Sequence, residues 1–372
     1  MGTTVLITGG AGFIGSHLAD RLLEAGHVVR AYDNLSSQVH GPDAARPDYL
    51  NDEVELIVGD VRDERRLRPA LDGVDVVFHL AAVVGVGQSM YEVARYTDVN
   101  DVGTATLMDL LARRPVGKLV VASSMSIYGE GLYRTVDGRA VPGPERSLID
   151  LKRGHWDLRD EEGRPLIPIP TPEDKVCALS SVYALTKYDT ERLALIIGRA
   201  YGIPTVALRF FNTYGPRQAL SNPYTGVLAI FAARLLNDRP PVINEDGNQR
   251  RDFVSVHDVA RACHLAMEAR QADGVALNIG SGSSLSVQDV ALRLSAVLGQ
   301  RRIAPEITGQ YRAGDIRHCF ADVTRARQLL GYEPEVDFEA GVEELADWLD
   351  RQAALDQVET ARAELQARGL AL

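Results

Sequence analysis

Short apolar runs rich in β-branched residues recur through the first part of the chain, at 5–8, 27–33, 54–60, 74–82, 118–124 and 204–210. None alternates between apolar and polar positions. Strands of a parallel sheet read this way because helices cover both of its faces. Between the runs lie stretches of helical periodicity, such as Phe13, Ile14, Leu18, Leu22 and Leu23. Regular strand–helix alternation predicts an α/β fold with a doubly wound parallel sheet over residues 1–208. Ligands of such sheets lie beyond the carboxyl ends of the strands, where the chain places Asp33, Asp60-Val61, Ala81-Ala82, Ser123-Ser124 and Asn212. The alternation loosens after about Phe211. Runs at 247–252, 275–279 and 309–315, separated by helical stretches, predict a smaller α/β lobe over 209–350. The region after Phe338 reads as helix with Leu345, Trp348 and Leu349 on one face, and 351–372 as a helical tail. Residues 131–176 break the pattern, being rich in Pro, Gly and charge. A loop this long is usually functional or mobile. A lid over the crevice is the preferred reading and inert decoration the competing one. His155-Trp156-Asp157 within it reads as an aromatic anchor rather than a substrate contact.

The first strand runs into Gly9-Gly10-Ala11-Gly12-Phe13-Ile14-Gly15-Ser16. Gly10, Gly12 and Gly15 spell the dinucleotide fingerprint G-x-G-x-x-G, after a strand and opening a helix. One glycine permits the turn, one admits a pyrophosphate to the backbone, and one lets helix and strand approach. The helix start then offers free N–H groups and the positive end of a dipole to the phosphates. A tight turn with no ligand would look similar. The second strand ends in Asp33, about 20 residues further on, where a carboxylate accepts from a ribose 2′-hydroxyl and repels a 2′-phosphate. The pair predicts a Rossmann-type domain that holds NAD rather than NADP.

Composition narrows the function classes. The 372 residues carry a formal net charge of −11, which argues against nonspecific nucleic-acid or anionic-membrane binding. Three distant cysteines, Cys177, Cys263 and Cys319, show no C-x-x-C spacing, so neither a disulfide framework nor a metal site is expected. No leader pattern and no apolar run of spanning length is present, so a soluble, cytoplasmic protein is expected.

Tyr183 and Lys187 lie four residues apart at the head of the helical run 184–200 and share one of its faces. A cation beside a phenol favours phenolate, and an oxidised nicotinamide would add a second positive charge. Both would lower the phenol toward working pH, as a general base requires. Such pairs also occur on ordinary helix surfaces. With Thr8-Gly9-x-x-Gly12-x-x-Gly15 upstream and Ser123-Ser124 at a strand end between them, however, the chain resembles the extended short-chain dehydrogenase/reductase family from about residue 3 to about 350. That resemblance implies Tyr183 as acid/base, with Lys187 tuning it and binding the nicotinamide ribose. Ser124 would bond the reacting oxygen. Asp33 would hold the adenosine ribose and Asp60-Val61 border the adenine. Gly9, Gly12, Phe13, Ile14, Gly15, Asn34, Leu80, Ala81, Ala82 and Asn100 would complete the cofactor side.

The loop after the serine, Ser123-Ser124-Met125-Ser126-Ile127-Tyr128-Gly129, is similar to that of sugar 4-epimerases. Nucleotide-sugar 4,6-dehydratases carry an Asp-Glu pair in place of Met125-Ser126, and UDP-glucuronate decarboxylases a Glu in place of Ser126. Arg209-Phe210-Phe211-Asn212-Thr213-Tyr214-Gly215-Pro216-Arg217 resembles the start of the family's substrate lobe. By resemblance, Ser126, Asn212, Arg217, Arg251, Arg312 and Asp315 would bind substrate, the arginines by planar paired donors to phosphate. His257-Asp258 reads as a helix start. The expected activity is therefore an NAD-dependent nucleotide-diphosphate-sugar 4-epimerase working through a 4-keto sugar. The substrate would be a dTDP-hexose such as dTDP-rhamnose, or a UDP-hexose or uronate. A 4-ketoreductase or 4,6-dehydratase is the alternative. A non-catalytic dinucleotide sensor is disfavoured because both Tyr183 and Lys187 are kept. A homodimer through the helix beginning near Tyr183 and the one around 104–111 is also implied.

Overall fold

A computed structural model describes residues 2–41, 45–219, 226–312, 314–349 and 358–370. Among them, seven strands form one parallel sheet: β1 (Thr4–Thr8), β2 (Val28–Asp33), β3 (Glu55–Val58), β4 (Val76–His79), β5 (Lys118–Ser124), β6 (Thr205–Phe210) and β7 (Ala276–Ile279). Their order is β7-β6-β5-β4-β1-β2-β3, every neighbouring pair being parallel. The winding reverses between β1 and β4, and the crevice outside that switch point is where such sheets bind ligands.

The apolar runs bury both faces. Val5 and Ile7 of β1 face one layer and Leu6 the other, as the two-residue period of a strand requires. On the first face lie α1 (Phe13–Glu24) and, later in the chain, a helix spanning Val256–Glu268; they contribute Leu18, Leu22, Val259 and Cys263. On the second lie α2 (Glu64–Ala70), α3 (Gly103–Arg113) and α4 (Val182–Tyr201), with Leu67, Leu107, Leu111 and Ala194.

The structure moves several segments, among them 319–332, whose Cys319, Ala321, Ala326 and Leu330 join the core under the first sheet. The run at 275–279 was assigned to the second lobe, but Ala276–Ile279 is the edge strand β7, paired from Ala276↔Ala207 to Ile279↔Phe210. The preceding helix, Val256–Glu268, packs on α1. The chain thus leaves the first domain after β6 and returns to it, which local periodicity cannot register. The second lobe gathers Phe231, Leu235, Leu294, Val342, Leu345 and Leu349 into its own core, the last two on the face expected of them. Of the expected tail, Val358–Ala367 is helical, while residues 351–357, 371 and 372 lie outside the described residues. No helix among the described residues is long and apolar enough to cross a membrane.

Residues 131–176 are folded and fastened. Leu132–Arg134 pairs antiparallel with Ala140–Pro142 and Ile167–Ile169, over a small core of Tyr133, Leu158 and Leu166. Arg146 donates to Glu245 (2.7 Å) and to the Asp315 carbonyl (2.7 Å). Arg317, fully buried, is bound by Asp157 (2.8 Å), Glu245 (3.0 Å) and Asp246 (2.6 Å). Trp156 packs against Tyr311 with ring centres 6.3 Å apart, in the anchoring role expected of it. Charges of the insertion are spent on these ion pairs, which fasten it to the segments around Glu245 and Arg317.

Removing a buried cation strands its carboxylates, at a cost of about 3–5 kcal/mol. Arg317→Ala should therefore lower the urea unfolding free energy by that amount and expose the insertion to proteolysis. Wild-type stability and proteolysis in the variant would remove Arg317 from this role.

Candidate active site

The turn after β1 fits a dinucleotide. Gly9 adopts φ +71° and donates its N–H to the Tyr32 carbonyl (2.8 Å), and a Cβ there would lie 2.8 Å from the Ala81 nitrogen. A Cβ on Gly10 would sit 2.7 Å from the Ile7 carbonyl, and one on Gly15 2.7 Å from the Gly10 Cα. These glycines are required by the protein's own packing. Gly12 is different. It caps α1 without a side-chain bond, and an added Cβ would meet just the Gly9 carbonyl, at 3.3 Å. Its open side is the cradle a pyrophosphate would fill, at a helix N-terminus whose N–H groups favour anions. Phe13 and Ile14 form the first, half-buried turn of that helix.

Asp33, buried at the end of β2, accepts from the backbone N–H groups of Ala11 (3.1 Å) and Leu35 (2.9 Å). One bond to each oxygen fixes the carboxylate and leaves acceptor capacity for a ribose hydroxyl. Asn34 donates to Asp60 (3.1 Å), whose carboxyl the Arg62 guanidinium pulls down to about 2. Val61 is buried against Gly103, where a Cβ would come within 2.6 Å of the valine methyl. Leu80 and Ala81 hang from Thr8 by its carbonyl (3.1 Å) and hydroxyl (3.3 Å), setting the backbone that leads into Ala82 beside the glycine turn. Asn100 was read as a cofactor contact. Its amide meets Val83, accepting at 2.8 Å and donating at 3.1 Å, and donates to the Thr186 hydroxyl (3.0 Å). It positions the loop after β4 against α4 from a π-helical turn, Thr97–Val102.

Ser181 caps α4, its hydroxyl accepting from the Ala184 N–H (3.1 Å). The first turn of the helix therefore starts firmly, and Tyr183 and Lys187 both face inward and are buried. Tyr183 lies near enough to Ser124, at the end of β5, for the serine to draw its phenol's pKa down. Ser124 Oγ accepts from the Ser126 hydroxyl (3.0 Å) and N–H (3.2 Å), so three of the expected site residues meet at one point.

The electrostatics correct one expectation. Burial pushes the Tyr183 phenol up to about 12, with Ser124 pulling against it, and burial brings Lys187 down to about 8. Desolvation disfavours both charged forms and outweighs any help the neighbouring ammonium gives the phenol. In the protein alone the Tyr183 phenol therefore stays neutral at neutral pH. Beneath the pair, burial holds His79 at about 3, hence neutral, with its ring nitrogens on the Thr8 (2.8 Å) and Thr104 (3.0 Å) hydroxyls.

Sequence reasoning missed the residues that hold these groups in place. Glu191, two turns beyond Tyr183 on α4, accepts from Ser123 (2.7 Å) and, with both oxygens, from Arg209 (2.7 and 2.9 Å). Arg209 also donates to the Tyr128 hydroxyl (2.7 Å), which donates to Asn278 of β7 (2.6 Å). A charged residue at the end of an otherwise apolar strand, as Arg209 is, was the available signal.

On the second lobe the expected clamp assembles in part. Arg251 donates to the carbonyls of Arg250, Ile316 and Arg317 and lies 3.7 Å from Asp315. The exposed Arg312 sits in the same turn, its carbonyl accepting from the Asp315 N–H (3.2 Å). Asn212 Oδ1 is buried without a hydrogen-bond partner among the described residues, an orphan acceptor that suits a ligand's donor. Arg217 goes elsewhere. A left-handed backbone (φ +67°) turns it onto α1, where it binds Asp20 (2.7 Å) and stacks over Tyr49. It does not join Arg251 and Asp315.

Comparison with known proteins follows this geometry. The family model described as the NAD dependent epimerase/dehydratase family matches residues 5–148 and 160–280. A curated dTDP-L-rhamnose 4-epimerase from Burkholderia thailandensis is 35% identical over 357 residues, covering 94% of this chain and 96% of that protein. The crystal structure of a UDP-glucose 4-epimerase with UDP-glucose from Thermotoga maritima superposes with a TM-score of 0.76 at 31% identity, covering 94% of this chain and 99% of that one. A Bacillus cereus UDP-glucuronic acid 4-epimerase in complex with UDP-glucuronic acid and NAD gives a TM-score of 0.75 at 26% identity, with the same coverage.

Two outcomes test this site. Gly12→Val should leave the fold intact and abolish NAD binding, whereas Gly15→Val should fail to fold, since the one position is open and the other packed. NAD affinity unchanged in Gly12→Val would refute the cradle. The lowered Lys187 pKa means the folded state binds fewer protons than the unfolded one between about 8 and the free-lysine value near 10.4. NAD-free wild type should therefore gain stability over Lys187→Met as pH rises through that window, by at most about 1.4 kcal/mol per pH unit. Parallel denaturant midpoints across the window would contradict it.

Proposed function

The chain belongs to the NAD-dependent epimerase/dehydratase family, and from that premise we propose that it inverts C4 of a nucleotide-diphosphate sugar by transient oxidation to the 4-keto sugar. The observation carrying this reading is the buried Ser124–Tyr183 contact beside Lys187, in a loop whose Met125-Ser126 offers no carboxylate. Hydride removal and return need one proton relay and no second acid or base, whereas loss of water from C6 needs groups this loop lacks. The same absence argues against a 4,6-dehydratase.

Tyr183 takes the C4 hydroxyl proton as the carbonyl forms and gives it back on reduction. The Ser124 hydroxyl, beside Tyr183, holds the reacting oxygen. The cradle at Gly12 and the Asp33 carboxylate hold NAD, which supplies the hydride acceptor and then the donor. Lys187, as the ammonium, binds the nicotinamide ribose and favours phenolate. Arg251 and Arg312 take the diphosphate, Asp315 the hydroxyls of the nucleotide's ribose, and Asn212 a phosphate oxygen. We favour a dTDP-hexose, in line with the Burkholderia relative, over the UDP-glucose or UDP-glucuronate of the similar solved structures.

We place the reaction in a cytoplasmic homodimer. Leu185 and Ile196, about three turns apart on α4, and Val102 before α3 are exposed apolar side chains on or beside the two helices expected to pair. Leu185→Arg with Ile196→Glu should leave a monomer in sedimentation.

The purified protein, given a panel of dTDP- and UDP-sugars without added cofactor, should yield a product of unchanged mass and inverted C4 by mass spectrometry and sugar NMR. Loss of water or carbon dioxide would refute the epimerase reading, and a requirement for stoichiometric NAD(P)H would favour a ketoreductase. Tyr183→Phe should lower kcat by at least about 10²-fold, the scale of a lost proton relay, with NAD still bound. Retained turnover would remove Tyr183 from its role.

A further inference from the structure

The helix Val358–Ala367 lies far from the sheet in sequence, yet it touches both walls of the crevice. On the first domain it meets the segment that follows β4. The Tyr91 hydroxyl donates to Glu364 (2.9 Å), and the Arg368 guanidinium stacks 4.3 Å from the centre of the Tyr91 ring. The buried Leu365 covers Gly87, where an added Cβ would already lie 3.4 Å from it. This segment continues the Leu80-Ala81-Ala82 stretch beside the glycine turn and is tied through Val83 and Asn100 to Thr186, next to Lys187.

On the second lobe the same helix meets the substrate-side loop. Arg362 donates to the Gln310 side chain (2.7 Å), and Glu359 accepts from the buried Arg234 (2.8 Å). Gln310 stands two residues before Arg312, and its carbonyl accepts from the Glu245 N–H (2.7 Å). Glu245 in turn binds Arg146 of the insertion and the buried Arg317. A single helix thus joins the cofactor-side wall to the turn that carries Arg312 and Asp315, with charged groups committed at each end.

We propose that the C-terminal helix is a cross-brace that keeps the two walls of the crevice together while the sugar is oxidised, and that Arg362 is the positioning residue of the Arg312–Asp315 turn. The inference rests on the nucleotide-sugar reading above. A 4-keto sugar is bound less surely than its parent, because its C4 oxygen has lost a donor. If it escapes, the electron pair and proton taken from C4 stay behind as NADH, and the enzyme is idled. A brace across the exit keeps both halves of the reaction in one site.

The test compares holoenzyme of the full chain with Arg362→Ala, Arg362→Lys and a chain ending at Leu349, on the substrate the wild type turns over. For Arg362→Ala we expect KM to rise about tenfold, the size of one charge-assisted hydrogen bond, with kcat within about twofold. We also expect free keto sugar, trapped with hydroxylamine, and enzyme-bound NADH to accumulate together in equal amounts, at least tenfold above wild type. The truncated chain should leak more, and Arg362→Lys should recover most of the KM. Wild-type KM and leakage in Arg362→Ala and in the truncated chain would overturn the proposal. So would a loss of kcat that tracks a lowered melting temperature without leakage, which marks a merely structural helix. Failure of the wild type to epimerise any sugar would instead defeat the underlying reading.

Discussion

Arg209 and Glu191 meet in a two-point contact, at 2.7 and 2.9 Å, between the end of β6 and the middle of α4, both side chains nearly excluded from solvent. A buried ion pair is not by itself a source of stability, since desolvation can cancel its attraction. What it gives here is position. Glu191 also holds Ser123, the neighbour of Ser124, so one carboxylate sets the spacing between the strand that carries Ser124 and the helix that carries Tyr183. Arg209 passes the constraint on through Tyr128 to Asn278 of β7, whose amide nitrogen donates to the carbonyls of Thr171 and Asp322. Ser124, Tyr183 and the insertion are thereby referred to one buried network.

The same burial poises the chemistry. With the phenol raised to about 12 and Lys187 lowered to about 8, the lysine is still chiefly the ammonium at neutral pH while the phenol resists ionising in the protein alone. A group that must be activated by its ligand does not act before the ligand is in place. A reaction whose intermediate is an oxidised sugar benefits from that order, as it does from walls fastened by Arg146, Arg317 and Arg362.

Much of this was legible in the chain. Apolar runs without alternation gave β1 to β6 to within two or three residues, because strands covered on both faces have one dominant demand. The glycine turn and Asp33 were legible because a pyrophosphate and a ribose need particular backbone and side-chain chemistry at fixed spacing, and Tyr183 with Lys187 because a helix puts i and i+4 on one face. What was not legible depended on pairing at long range. β7 looked like part of another lobe, since its partner lies some 70 residues upstream. Arg217 looked like a phosphate ligand until a positive φ turned it to Asp20. The partners of the charges around 131–176 could not be read off, since the carboxylates that bind Arg146 and Arg317 include Glu245 and Asp246, about a hundred residues away from the one and seventy from the other. The part Asn100 plays in holding the loop after β4 was not legible either, because composition does not say which backbone groups an amide meets.

The central claim is that hydride leaves C4 and returns to the same carbon without leaving the site. Nucleotide sugar carrying deuterium at C4, turned over in ordinary water without added cofactor, tests it most directly. The account predicts epimerised product that keeps its deuterium at C4 through many turnovers, with none appearing in solvent or in NAD added afterwards. Washout of the label into water would contradict it, placing a proton abstraction from carbon where the account has a hydride transfer.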